Sequence, residues 1–169
     1  MTAKSELDNV IRVAIVDDDE DVRKGYRWMI ERSTGFVVTG TYASCSDIRS
    51  HIDESPPDVI LMDIGLPEKS GTECVRLLKR QYPNIQFLML TVYTDDENIF
   101  QSLRAGAVGY LLKKTTPAKL LEAISDAYHG GAPMASEIAR KVLAYFQHEH
   151  TANVTDALSL HAKSKSSKP

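Results

Sequence analysis

Four places along the chain carry side chains able to act together chemically: the run Asp17-Asp18-Asp19, then Asp63, Thr91 and Lys113. Each stands at the end of a short apolar run. Carboxylates gathered in one crevice repel each other and partly take up protons unless a divalent cation sits among them. A hard, oxygen-binding Mg²⁺ suits this inventory better than zinc, because neither Cys nor His belongs to it. With a lysine ammonium and a threonine hydroxyl added, the set is fit to hold a phosphoryl group: the cations neutralise its oxygens and the hydroxyl donates a hydrogen bond. A carboxylate can then be the nucleophile and form an aspartyl phosphate. These residues alone leave open which aspartate attacks.

The elements that must gather them can be read from periodicity. Val10–Val16 is a nearly continuous, β-branched apolar run, the pattern of a strand covered on both faces. Similar runs follow at Phe36–Tyr42, Val59–Met62, Ile85–Leu90 and Ala107–Leu112. Between them, Val22, Tyr26, Met29 and Ile30 share one helical face behind Glu20 and Asp21. Further helices are predicted over Ser46–Asp53, Gly71–Gln81, Asp95–Arg104 and Pro117–His129, the last with Thr116 as N-cap, Pro117 at its first position and Gly130-Gly131 at its end. Strands alternating with helices imply a parallel sheet covered on both faces, with its ligand site at the carboxyl ends of the strands. That is where the four groups of residues fall.

Composition narrows the class. The chain has 169 residues, 43% hydrophobic and 25% charged, the balance of one soluble domain with a real core. Its net charge is −3. The segment after His150 has Lys163, Lys165 and Lys168 against Asp156, hence +2, which leaves −5 for residues 1–150. Nothing in the total charge points to nucleic acid or a membrane surface. The N-terminus lacks an apolar core and the apolar runs are too short to span a bilayer, so a cytoplasmic protein is expected. Cys45 and Cys74 show no paired-ligand spacing, and the expectation is two reduced thiols with neither a disulfide framework nor a zinc site.

The stretches IVDDDED (15–21), VILMDIGLP (59–67) followed by Gly71, FLMLT (87–91) and AGAVGYLLKK (105–114) together resemble the receiver domain of two-component response regulators, over about Val10–Gly130. The resemblance implies a flavodoxin-like, doubly wound α/β fold with strand order 2-1-3-4-5. It makes Asp63 the phosphoacceptor and a phosphohistidine of a sensor histidine kinase the donor. Asp18 and Asp63 would bind Mg²⁺ directly, Asp17 directly or through water, and the Gly65 backbone carbonyl would complete the protein ligands. Lys113 would pair with a phosphoryl oxygen. Thr91 and Tyr110 would form the switch, the hydroxyl drawn inward by the phosphoryl group and the ring following. This reshapes the face of the fourth helix, fifth strand and fifth helix, a surface for a possible homodimer.

GYLLKK and the later GGAPMASEIARKVL resemble the LuxR/NarL branch, whose receivers precede a helix-turn-helix. The expected organisation is a tail over 1–9, the receiver over 10–131, an additional helix over 132–150 with Ile138, Val142, Tyr145 and Phe146 on one stripe, and a linker over 151–169. The 19 residues after His150 cannot make the helices of that output domain, so control of transcription would pass through a domain this chain lacks, and the chain itself would not bind DNA.

Blander readings stand beside these. Asp17–Asp19 could simply open a helix, and Thr91 and Tyr110 taken singly are an ordinary strand end and a core ring. Asp63 is harder to explain so, because a charge closing a buried strand is rarely placed there without a partner. From another class, a haloacid-dehalogenase-like phosphatase would use Asp17 as its nucleophile, with Asp17-x-Asp19 as its opening motif. However, Asp21 stands where that motif wants Thr or Val, and no acidic pair follows Lys113. The remaining alternative is a receiver-like module that acts without phosphorylation.

Overall fold

The computed structural model describes residues 10–148. The expected tail (1–9), the linker (151–169) and residues 149–150 of the expected extra helix lie outside them. The order of elements is β1 (Ile11–Val16), α1 (Glu20–Glu31), β2 (Phe36–Tyr42), α2 (Cys45–His51), β3 (Val59–Met62), α3 (Gly71–Gln81), β4 (Gln86–Thr91), α4 (Asp96–Ala105), β5 (Gly109–Leu112) and α5 (Pro117–Tyr128). The strands pair in parallel in the order β2-β1-β3-β4-β5. This is the flavodoxin-like α/β arrangement that the resemblance implies.

Alternation along the strands separates two cores. Val13 and Ile15 of β1, Leu61 of β3, Leu88 and Leu90 of β4 and Leu111 of β5 pack with Ile30 of α1 and with Leu120, Ile124 and Ala127 of α5. The intervening residues Ala14, Val16, Ile60, Met62, Phe87, Met89 and Tyr110 are also buried, so both faces of the sheet are covered. That is why these strands read as continuous apolar runs rather than alternating ones. Side-chain caps open the helices: Asp19 for α1, Ser44 for α2, Ser70 for α3, Asp95 for α4 and Thr116 for α5.

β5 starts at Gly109, not at Ala107. Gly106, at φ +118°, ends α4 in the left-handed conformation, and the Ala107 N–H turns back to the Ser102 carbonyl, so the chain enters the sheet two residues later. The far edge of β5 is not bare. The Tyr110 N–H donates to the Pro133 carbonyl and the Ala135 N–H to the Tyr110 carbonyl, a short parallel bridge beyond α5.

The expectation for the cysteines is corrected. Cys45, at the start of α2, and Cys74, on α3, are joined in a disulfide with their Cα atoms 5.7 Å apart. They are 29 residues apart in sequence, and only the placement of α2 near α3 makes them neighbours.

The sheet unit ends at Ala135, and a separate helical unit begins at Ser136, helical over 136–148. On that helix the ring of Phe146, expected on a packing stripe, is exposed and edge-on to Tyr145.

Candidate functional site

The carboxyl ends of the five strands are tied by their own backbone in two groups, β2 with β1 and β3, and β4 with β5. The Asp17 N–H, one residue past β1, donates to the Tyr42 carbonyl that ends β2 (3.0 Å). The Asp63 N–H, one residue past β3, donates to the Val16 carbonyl that ends β1 (3.0 Å). The Lys113 N–H, one residue past β5, donates to the carbonyl of Thr91, the last residue of β4 (3.0 Å). Asp17 and Asp63, which follow the adjacent strands β1 and β3, are thereby held side by side, Lys113 is fixed at the end of β4 next to β3, and the sheet register becomes the geometry of the site.

Asp17 and Asp63 are buried and Asp18 is exposed, and the three offer carboxylate oxygens that all lie within 4.8 Å of one another. The Lys113 ammonium bridges two of them, at 2.7 Å from Asp17 Oδ2 and 3.2 Å from Asp63 Oδ2. The other Asp17 oxygen accepts the Asp19 N–H and the other Asp63 oxygen the Ile64 N–H. The run of three aspartates thus divides its labour: Asp17 and Asp18 join the cluster, while Asp19 caps α1 by accepting from the N–H groups of Asp21 and Val22.

One ammonium does not satisfy this much buried negative charge. Burial pushes the Asp17 carboxyl above its ordinary range, and the hydrogen bond from Lys113 opposes that push without cancelling it. For Lys113, burial alone would favour the neutral amine, but the hydrogen bond to Asp17 and the charge of Asp63 outweigh it and hold the ammonium firmly charged. An oxygen-rich cluster still short of positive charge, with one carboxylate open to solvent, fits a hard divalent cation.

Thr91 is fully buried, and its Oγ1 finds no hydrogen-bond partner among the described residues. Tyr110 is also fully buried, with its hydroxyl donating to the Tyr93 carbonyl at 2.8 Å. Burial raises its phenol far above the usual range, so the hydroxyl stays a donor. The ring is therefore already inside, and what lacks a partner is the Thr91 hydroxyl.

Gly65 is exposed in the loop after β3 with the Tyr93 ring across it; a Cβ there would meet the Tyr93 hydroxyl at 3.4 Å. Sequence reasoning missed three neighbours of this site. Tyr93 stands beside Gly65 and its carbonyl accepts from Tyr110, Arg23 donates to the Asp17 carbonyl at 2.7 Å, and Tyr26 lines a small recess with Asp17 and Asp63. Tyr26 carried the available signal, a hydroxyl on an otherwise apolar helical stripe.

The family model of the response regulator receiver domain matches residues 13–125. The chain is 40% identical over 134 residues to the uncharacterized transcriptional regulatory protein YxjL of Bacillus subtilis, covering 79% of this chain and 62% of YxjL. It is 34% identical over 151 residues to the response regulator UvrY of Escherichia coli, covering 89% of this chain and 69% of UvrY. It spans less than two thirds of YxjL, a longer protein. Among solved structures, a LuxR-family two-component response regulator from Aurantimonas superposes with a TM-score of 0.76 at 31% identity, covering 80% of this chain and 97% of that one. The family match runs through all of the strand ends that meet at the cluster, and the chain belongs to the response regulator receivers of two-component systems.

Proposed function

We propose that Asp63 is the phosphoacceptor, taking a phosphoryl group from a phosphohistidine of a sensor histidine kinase. The observation that carries this reading is the position of the Asp63 carboxylate. It is buried at the end of the central strand β3, 3.2 Å from the Lys113 ammonium and clustered with Asp17 and Asp18. An Asp63 oxygen attacks phosphorus, the bond to the donor imidazole nitrogen breaks, and the acyl phosphate forms on Asp63. Asp17, Asp18, Asp63 and the Gly65 carbonyl would hold Mg²⁺, whose charge, when bound, offsets that of the phosphoryl oxygens. Lys113, already beside Asp63, pairs with one of those oxygens, and the unpartnered Thr91 hydroxyl donates to another. Thr91 precedes the loop whose Tyr93 carbonyl holds Tyr110, so a shift of the hydroxyl is felt by that ring.

The longer, transcription-regulating relatives support a LuxR-type output in a longer parent, with this chain making no direct DNA contact. A cytoplasmic location follows from that role; among the described residues no helix is long and apolar enough to cross a membrane. A homodimer through the face of α4, β5 and α5 would serve the output.

Incubation with Mg²⁺ and acetyl phosphate, followed by peptide mapping by mass spectrometry, tests the assignment. The expected label sits on Asp63 and vanishes in Asp63→Asn. Label on Asp17, or undiminished label in the variant, overturns the reading, and failure to bind either Mg²⁺ or beryllofluoride favours a phosphorylation-independent module.

A further inference from the structure

The disulfide lies close to the phosphoacceptor in the fold. The ring it closes, from Cys45 to Cys74, contains α2, β3, Asp63 and the loop that leads into α3. Cys74 sits one turn into α3, and the first residue of that helix is fixed to the two residues that follow the acceptor strand. The Gly71 N–H donates to the Ile64 carbonyl at 2.8 Å, and a Cβ on Gly71 would fall 1.8 Å from the Asp63 carbonyl oxygen. Both sulfur-bearing residues are almost wholly buried, yet they are not equivalent. A recess of about 270 Å³ has Cys45 in its wall together with Ser46, Arg49, Pro67, Glu68 and Lys69, whereas Cys74 does not reach it.

We propose that the Cys45–Cys74 pair is a thiol–disulfide exchange site, entered through this recess by a small anionic thiol of the glutathione class. Arg49 and Lys69 outnumber Glu68 in the wall, so the recess attracts both the carboxylates of such a molecule and its attacking thiolate. The thiolate attacks the Cys45 sulfur, the Cys45–Cys74 bond breaks, and Cys74 leaves as a thiolate that takes up a proton. A second thiolate attacks the outer sulfur of the mixed disulfide and frees Cys45. The pair gains two electrons and two protons, and the two small thiols become one disulfide. In reverse, the oxidised small molecule closes the bond. Because α3 is hydrogen-bonded to the Ile64 carbonyl and packed closely on that of Asp63, opening the bond releases one restraint on the acceptor loop; this consequence rests on the phosphoacceptor reading above, while the exchange itself does not.

The test uses the full chain under native conditions, in buffers of reduced and oxidised glutathione, with alkylation and mass spectrometry as readout. The pair should pass between disulfide and dithiol without unfolding. Cys74→Ser should accumulate a glutathione adduct on Cys45, and Cys45→Ser should leave Cys74 unmodified. Arg49→Gln with Lys69→Gln should slow exchange with glutathione about tenfold while leaving exchange with the cationic thiol cysteamine unslowed. A pair that reacts only after denaturation, equal adducts on both cysteines, or equal slowing for both thiols would overturn the proposal. Acetyl phosphate labelling of the disulfide and dithiol forms separates the readings: different rates establish the link to Asp63, equal rates refute that link, and no label in either form counts against the phosphoacceptor and leaves the exchange result standing.

Discussion

Thr91 Oγ1 is a fully buried polar atom with no partner among the described residues, and such an atom costs the fold its desolvation. A protein keeps that cost where another state supplies the missing acceptor, and a phosphoryl oxygen on Asp63 would do so. Thr91→Val, which retains the shape and removes the hydroxyl, should therefore leave the unphosphorylated chain as stable or stabilise it by about 1 kcal/mol in urea titration. The same variant should lose the spectroscopic change on adding beryllofluoride; a clear loss of basal stability would show that the hydroxyl is satisfied in the resting state. Asp18 is different in kind, since it is exposed and belongs only to the acid cluster. Mg²⁺ at about a hundred times its dissociation constant should stabilise the parent by about 2.7 kcal/mol. In Asp18→Ala thermal unfolding should show most of that gain gone, with the metal-free midpoint hardly moved.

At the scale of elements, the strands and helices were legible because each has one dominant period and a chemical boundary. Asp19, Ser44, Ser70, Asp95 and Thr116 cap their helices through their own side chains, and Pro117 starts α5 where its missing N–H does no harm. The apolar Ala107 reads as the start of β5, yet its N–H belongs to the turn imposed by Gly106, and the Val108 N–H is the first to reach β4, at the Phe87 carbonyl. The pairing of residues 133–135 with Tyr110 was not legible, since a single bridge has no period. It depends on Gly109, where a Cβ would lie 2.2 Å from the Pro133 carbonyl oxygen. Gly109→Ala should push this segment off the sheet edge, and hydrogen exchange at the Tyr110 and Ala135 amides should accelerate as their bonds to it, worth about 1 kcal/mol each, are lost. Unchanged protection at those two amides would show that the edge adapts.

At the scale of the molecule, the acid cluster sets a pH dependence whose sign follows from Asp17. Its carboxyl is raised in the fold, so at neutral pH its ionised form weighs against folding. As pH falls through that raised value the folded protein takes up the proton first, and stability from this group is gained, in full below the ordinary value of 3.8. In metal-free buffer Asp17→Asn should thus be at least as stable as the parent near neutral pH, with the advantage shrinking as the solution is acidified; with Mg²⁺ the order should reverse. A constant difference across pH in chemical denaturation would locate the charge strain elsewhere. The sheet, its helices and the candidacy of Asp17, Asp18, Asp63, Thr91 and Lys113 follow from residue order alone, because buried parallel strands must be apolar and polar groups at their ends stand out. Folding in three dimensions is what makes Lys113 bridge Asp17 and Asp63, lays Tyr93 across Gly65, and brings Cys45 to Cys74. These pairings join residues whose distance along the chain says nothing about their distance in space, which is set by how strands and helices pack.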